Sequence, residues 1–170
     1  MKEMDFSRDF LPPISIDDPP IYISRKLNPG LREIADALLW YRAACGDDGR
    51  LRRKDFRPES LRRLMYHASL FDIVKDGSGR AVDLHTRVFS GAMARIYGEI
   101  GSAPTSEKLP PVVQQRFLFH VNAMLEANDA VMSHTQVSFS DKTYIAAEGL
   151  ILPIWKEDEI VQCLNFFSFR

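Results

Sequence analysis

Residues 70–98 read LFDIVKDGSGRAVDLHTRVFSGAMARIYG, and this stretch decides the fold. Apolar residues lie on both sides of the Gly-Ser-Gly at 77–79, which predicts two strands, 70–76 and 80–89, joined as a β-hairpin. The pattern then changes to helical spacing over 91–97, and Gly98 is suited to end that short helix. The stretch therefore predicts a strand, a second strand and a helix in direct succession.

The chain beyond this stretch predicts one longer helix and three further strands. Pro111 begins a helix that Asn128 ends, because proline suits a first helical turn and asparagine a terminus. Apolar residues alternate or run together over 131–139, 143–154 and 160–169. Two strands, a helical connection and three strands predict an α+β fold, with a five-stranded antiparallel sheet covered by helices on one face.

The N-terminal third differs in composition from the rest. Residues 1–30 hold five of the ten prolines, which predicts an extended arm, and its apolar residues favour packing along the domain or along a second subunit. Helical spacing begins after Asn28-Pro29, and Pro58 predicts a second helix. We therefore expect a Pro-rich arm over 1–30 and a single domain over 31–170 that begins with two helices.

Composition narrows the functional classes. The chain has 170 residues, with 22 Lys and Arg against 23 Asp and Glu, a net charge of -1 that argues against a strongly basic nucleic-acid binder. The basic run at 50–63 is expected to be a solvated segment balanced by nearby acids. No stretch approaches the roughly 20 apolar residues of a membrane helix, and acids and prolines interrupt the N-terminus, so we expect a cytoplasmic protein.

Four short segments carry a resemblance to a known family. They are LWYRAACGDDGRLRRKDFRPESL at 38–61, LFDIVKD at 70–76, DLHTRVFSGAMARIYG at 83–98 and AAEGLILPI at 146–154. In this order they resemble a bacterial PAS-like subfamily, over about residues 31–169. The residues that match its pattern are Trp40, Arg53, Asp55, Phe56, Pro58, Arg87, Gly91, Glu148, Leu150, Leu152 and Pro153. The resemblance implies a PAS-like fold and a role in sensing or protein–protein regulation, without a defined catalytic set.

The residue types that bear chemistry show no spacing typical of a catalytic or metal site. The four histidines form no HxH or HExxH motif, and the two cysteines form no CxxC, so no metal or catalytic residue is predicted. His120 is the candidate for an axial haem ligand. It lies off the apolar stripe of its helix, however, and is expected to face solvent. Any cofactor stays unknown at this point.

Two features are candidates for a binding site. Glu148 interrupts an apolar strand and Arg87 ends another, which predicts either an ion pair or a backbone-capping role, since an unpaired buried carboxylate would be costly. Apolar residues, Ile96 among them, are predicted to line the space between helices and sheet, either as core or as a cavity for an apolar ligand. The candidate ligand-pocket residues are Arg87, Met93, Tyr97, Phe117, Val121, Met124 and Glu148.

These observations favour a non-enzymatic regulator that binds a small molecule, a signalling-protein partner or both. The excess apolar surface near the N-terminus predicts a homodimer through residues 1–45. Two alternatives stay open. One is a small α+β enzyme that recruits His85, His134 and Glu148 around an apolar pocket. The other is a structural adaptor with no cavity, which solid packing between helices and sheet would favour.

Overall fold

A computed structural model describes residues 10–11, 19–140 and 143–170 of the protein. The strands are β1 Phe10–Leu11, β2 Tyr22–Ser24, β3 Leu51–Arg52, β4 Ala68–Lys75, β5 Ala81–Val88, β6 Val131–Ser140, β7 Thr143–Lys156 and β8 Glu159–Phe169. The α-helices are α1 Arg32–Ala44, α2 Gly91–Tyr97, α3 Thr105–Lys108 and α4 Pro111–Ala127. Short 3-10 segments span Arg53–Asp55, Pro58–Leu61 and Met65–His67.

All the described strands belong to one sheet. Its order is β1-β2-β6-β7-β8-β4-β5, with antiparallel neighbours throughout, and β3 adds to the end of β7 in parallel. The five strands predicted from the sequence are β4 to β8, and they lie side by side in the order β5-β4-β8-β7-β6. The chain crosses from β5 at one edge to β6 through α2, α3 and α4. The α+β class with an antiparallel sheet is confirmed.

The prediction that helices cover only one face of the sheet was wrong. Helix α4 packs on one face, where Val121 and Met124 meet Ile151 of β7. Helix α1 packs on the opposite face, where Ile34 and Leu38 belong to a second buried cluster. The reason is that β7 and β8 are apolar at consecutive positions, and a strand that is apolar on both faces must be covered on both.

Part of the predicted arm belongs to the sheet. Strand β2 pairs with β6, and the side chains of Ile21 and Ile23 are fully buried in the α4-side core. Ile21 and Ile23 therefore pack along their own domain, which is one of the two arrangements expected for the arm. The predictions for residues 1–9 and 12–18 lie outside the described residues.

The second N-terminal helix predicted from Pro58 is not an α-helix. The segment forms the 3-10 turns Pro58–Leu61 and Met65–His67 instead. Arg57 before Pro58 offers no side-chain cap, and only Leu61 is buried within the two turns. Too little apolar surface is covered here to stabilise a longer helix, since most helical stability in proteins comes from packing.

Gly149 of β7 provides a test of the core packing. A methyl group at this position would meet the ring of Phe167 on β8, with two of its carbons only 2.8 Å away. We expect Gly149→Ala to lower the free energy of unfolding by about 1–3 kcal/mol, because the ring must move out of a packed interior. Chemical denaturation measures this change. The control is Gly77→Ala, since nothing lies within 4 Å of that position. Equal stability of the two variants would contradict the described packing.

Candidate functional site

An interior cavity lies between α2, α4 and the sheet. The free space within it is about 20 Å³, room for about one water molecule. Strands β4, β6 and β8 form its floor and the two helices its roof. The lining residues are Ser69, Phe71, Met93, Tyr97, Arg116, Phe117, His120, Thr135, Val137, Asn165, Phe167 and Phe169.

The walls of the cavity are largely aromatic. Phe117 of α4 lies edge-on to Phe71 of β4, with ring centres 6.2 Å apart, and to Tyr97 of α2 at 5.8 Å. Phe167 and Phe169 of β8 are stacked, with ring centres 6.3 Å apart and planes 16° from parallel. Rings held in this way form flat apolar surfaces, which suit a planar guest.

The structure brings together only some of the predicted pocket residues. Met93, Tyr97 and Phe117 line the cavity, as predicted. Val121 and Met124 are fully buried in the adjoining core and do not line it. The sequence left open whether this apolar set forms core or lines a cavity. In the structure some members belong to the core and others line the cavity.

The other predicted pocket residues lie elsewhere. Arg87 forms an ion pair with Asp72, whose other oxygen accepts from Gln162, so the predicted pairing of Arg87 with Glu148 was wrong. Ile96 lines a separate surface pocket rather than the cavity. Glu148 faces α1 on the opposite side of the sheet.

Asn165 is the cavity residue that the sequence reading missed. It lies on β8 with 5% of its surface exposed, and its Oδ1 has no hydrogen-bond partner among the described residues. Leaving a buried amide oxygen unpaired costs about 1–3 kcal/mol, so such a group requires an explanation. The signal in the sequence was an amide directly before the aromatic pair Phe166 and Phe167 in a largely apolar strand.

His120 is buried, and the prediction that it faces solvent was wrong. It follows Phe117 by three positions, so both side chains lie on the inward face of α4. Nδ1 is 2.7 Å from the carbonyl oxygen of Arg116, and Nε2 is 2.7 Å from Oγ of Ser133. Because a carbonyl only accepts, Nδ1 carries the proton and Nε2 accepts from the serine hydroxyl. Burial lowers the pKa of His120 from 6.5 to about 4, so the ring is neutral.

Arg116 closes one side of the cavity and ties three elements together. Its guanidinium donates to the carbonyl of Pro19 at 2.8 Å, to Oγ1 of Thr135 at 2.6 Å and to the carbonyl of Gln136 at 3.2 Å. The charge is thus held by oxygens of the segment before β2 and of β6. Arg116 therefore links α4 to β6 and to the segment before β2.

Glu148 caps helix α1 from a distant strand. Its two carboxylate oxygens accept from the backbone N–H groups of Gly30, at 3.0 Å, and Leu31, at 2.9 Å. No side chain of the helix itself caps this end. Oε2 also lies 3.0 Å from Nε2 of His134. The backbone-capping role that was one of two predictions for Glu148 is therefore confirmed, since a carboxylate at a helix N-terminus satisfies its free donors.

Of the three residues proposed for an enzymatic alternative, His134 and Glu148 are in contact, but His85 lies apart from them. Strands β5 and β6 are four steps apart in the sheet, so His85 and His134 are separated by about 19 Å. The contact between His120 and Ser133 has the geometry of a base and a hydroxyl, but Ser133 is fully buried and does not line the cavity. No constellation of nucleophile and base opens to a pocket in the described part of the chain.

No group of three or more His, Cys, Asp or Glu is placed to hold a metal ion within residues 10–11, 19–140 and 143–170. Over the same ranges, no helix has the length and apolarity to cross a membrane. Comparison of the chain with protein-family models, curated proteins and solved structures gives no match. The function must therefore be argued from the geometry.

The buried imidazole makes stability depend on pH in a defined window. The unfolded chain protonates His120 below about pH 6.5, whereas the native state resists protonation down to about pH 4. The contribution of His120 is therefore fully present above pH 6.5 and is lost as the pH falls to 4, a total of about 3 kcal/mol. The measurement is the free energy of unfolding at pH 7 and pH 4.5, for the wild type and for His120→Gln. The wild type should lose more stability than the variant, and a His85→Gln control should behave like the wild type. Parallel loss in all three proteins would contradict a buried neutral His120.

The cap on α1 gives a second stability prediction. Removing the carboxylate with Glu148→Ala leaves two backbone N–H groups unpaired near a buried helix end, and we expect a loss of about 2–3 kcal/mol in urea denaturation. The control is Arg87→Ala, which breaks the pair with Asp72 at a side chain that is more than half exposed. That pair should matter by less than about 1 kcal/mol. If the two losses were the same, Glu148 would not be the anchor of α1.

Proposed function

We propose that the protein is a non-enzymatic, PAS-like regulatory domain that binds a small uncharged group in the cavity between α2, α4 and the sheet. The observation that carries this proposal is the buried, unpartnered Oδ1 of Asn165, a residue that lines the cavity with aromatic walls. A ligand that donates one hydrogen bond would satisfy it. Regulation would follow from coupling between the ligand and the elements that surround it, with the output passed to a partner in the cytoplasm.

The sheet order supports the PAS-like part of the proposal. The order β5-β4-β8-β7-β6 with a helical crossover between β5 and β6 is the arrangement that the sequence resemblance implies. The matched residues also take up structural positions. Gly91 begins α2 where a methyl group would meet the ring of Tyr66, with a carbon at 2.8 Å, and Glu148 caps α1. Gly91 and Glu148 therefore each have a local structural reason to be the residue that they are.

The lining indicates the chemistry of the buried group. Asn165 offers an amide and Tyr97 a hydroxyl, while His120 is neutral and has both ring nitrogens bonded. A charged group would be costly to bury here, because Arg116 of the wall already donates to three protein oxygens and most of the other wall residues are apolar. The guest is therefore an uncharged planar group with at least one hydrogen-bond donor.

A ligand larger than water must displace a side chain. The free space of about 20 Å³ is far below the 300–1,000 Å³ of typical ligand pockets. Phe169 is the wall residue best placed to move, because it is the last residue of β8 and is only partly buried. The same small volume favours a second candidate, a structural adaptor whose cavity holds one water molecule and whose partners dock on the outside.

A homodimer through residues 1–45 remains part of the proposal. Leu39 on the outer side of α1 is 65% exposed, and Tyr22 of β2 is 48% exposed. Large apolar side chains that are exposed in this way favour a protein–protein contact. Both lie within residues 1–45, which were predicted to form the homodimer.

Native mass spectrometry tests the proposal. We expect the wild-type protein to carry extra mass that disappears on denaturation, and expect Asn165→Leu to lack it. The control is Gln115→Leu on the exposed side of α4, which should retain the ligand. The same spectra give the subunit count, and a dimer is expected. A wild-type protein that carries no ligand and is less stable than Asn165→Leu would favour the adaptor and contradict the proposed ligand site. A monomer would contradict the proposed homodimer.

A further inference from the structure

A second pocket opens at the surface beside the interior cavity. It has a volume of about 350 Å³ and lies where α1 begins, between α2 and the end of β8. Its floor is apolar and its rim is charged. The lining residues are Glu33, Tyr66, His67, Ala92, Arg95, Ile96, Ile145, Ser168, Phe169 and Arg170.

The two spaces share a wall. Phe169 lines both of them. Helix α2 also contributes to both, since Met93 and Tyr97 line the cavity, whereas Arg95 and Ile96 line the surface pocket. Rotation of one ring at the end of a strand would therefore join a space of about 20 Å³ to one of about 350 Å³. The joined volume reaches the range of ligand pockets.

The rim of the surface pocket carries two guanidinium groups and one side-chain carboxylate. Arg95 has no ion-pair partner among the described residues, and Arg170 adds a second guanidinium. Glu33 is the one opposing carboxylate in the lining, and it accepts a hydrogen bond from Oγ of Ser168 at 2.8 Å. His67 donates from Nδ1 to the carbonyl of Phe167 at 3.1 Å, which leaves Nε2 for a ligand.

We infer that the ligand is an amphipathic anion. The uncharged aromatic part of the ligand occupies the space that the ring of Phe169 leaves beside Asn165. Its anionic group, a carboxylate in the simplest case, lies in the surface pocket against Arg95 and Arg170. Guanidinium groups bind carboxylates through paired hydrogen bonds, and the aromatic walls bind the aromatic part. This inference rests on the proposed function, because it assumes that the cavity beside Asn165 receives a ligand.

The location of the charge explains why neither space alone is a complete site. The interior offers aromatic contact and an unpaired amide but no free charge, and the surface pocket offers charge over an apolar floor. A ligand with both parts would use both spaces. A neutral aromatic compound would gain only the interior contacts.

Calorimetric titration with two probes tests the inference. The probes are indole, which is an uncharged aromatic N–H donor, and indole-3-propionate, which carries a carboxylate on the same ring. We expect wild type to bind the carboxylate probe at least tenfold more tightly than indole. Arg95→Gln should abolish this preference, whereas the exposed control Arg42→Gln should retain it. Phe169→Ala should tighten binding of both probes, since the joined space is then already open.

The outcomes separate this inference from the proposed function. If both probes bind equally, depend on Asn165 and ignore Arg95→Gln, the cavity is a ligand site and the anionic part of the inference is overturned. If the preference for the carboxylate depends on Arg95 but both probes ignore Asn165→Leu, the anion binds only at the surface, and the joined site is overturned. If neither probe binds wild type or Phe169→Ala, the inference is overturned, and the proposed function is then judged by the native mass alone.

Discussion

The structure depends on two adjacent strands, β7 and β8, that are apolar on both faces. Ile151 and Phe167 point to the α4 side, and Leu150 and Phe166 point to the α1 side. The two long helices and the neighbouring strands lie where they cover or extend this pair. Helix α4 covers one face and α1 the other, while β6 and β4 take up the hydrogen-bonding edges. Burial of two apolar faces, rather than helix propensity, therefore positions the helices.

The interior holds several buried polar and charged side chains. His120 and Arg116 are both buried, and each is hydrogen-bonded to oxygens of its own helix or of β6. These groups cost little because their partners are present. Oδ1 of Asn165 is buried without one, as are Oγ1 of Thr86 and Oε1 of Gln114, but of these three residues only Asn165 lines the cavity. An unpaired amide oxygen on a residue of the cavity wall is the physical basis of the proposed function.

The sequence was sufficient for β4 to β8 and the crossover, because their patterns are local, but it did not predict β1, β2 and β3. Alternation, a Gly-Ser-Gly turn and helical spacing in residues 70–98 already imply the succession of β4, β5 and α2. Features that depend on distant neighbours were less accessible. The capping partners of Glu148 lie 117 and 118 residues away, and the partner of Arg87 is on the neighbouring strand. His120 was misjudged because α4 buries more than one stripe, which puts a polar ring on its inward face. The role of Asn165 could not be read at all, because an unpaired atom is a property of packing.

The most direct test is a high-resolution crystal structure of the protein as purified, viewed at Oδ1 of Asn165. The account predicts density larger than a water molecule between Asn165 and Tyr97, with the ring of Phe169 turned away from the position described above. One water molecule bound to Oδ1, with Phe169 in place and the cavity otherwise filled, would contradict the sensor account. It would identify the domain as an adaptor whose interior is purely structural.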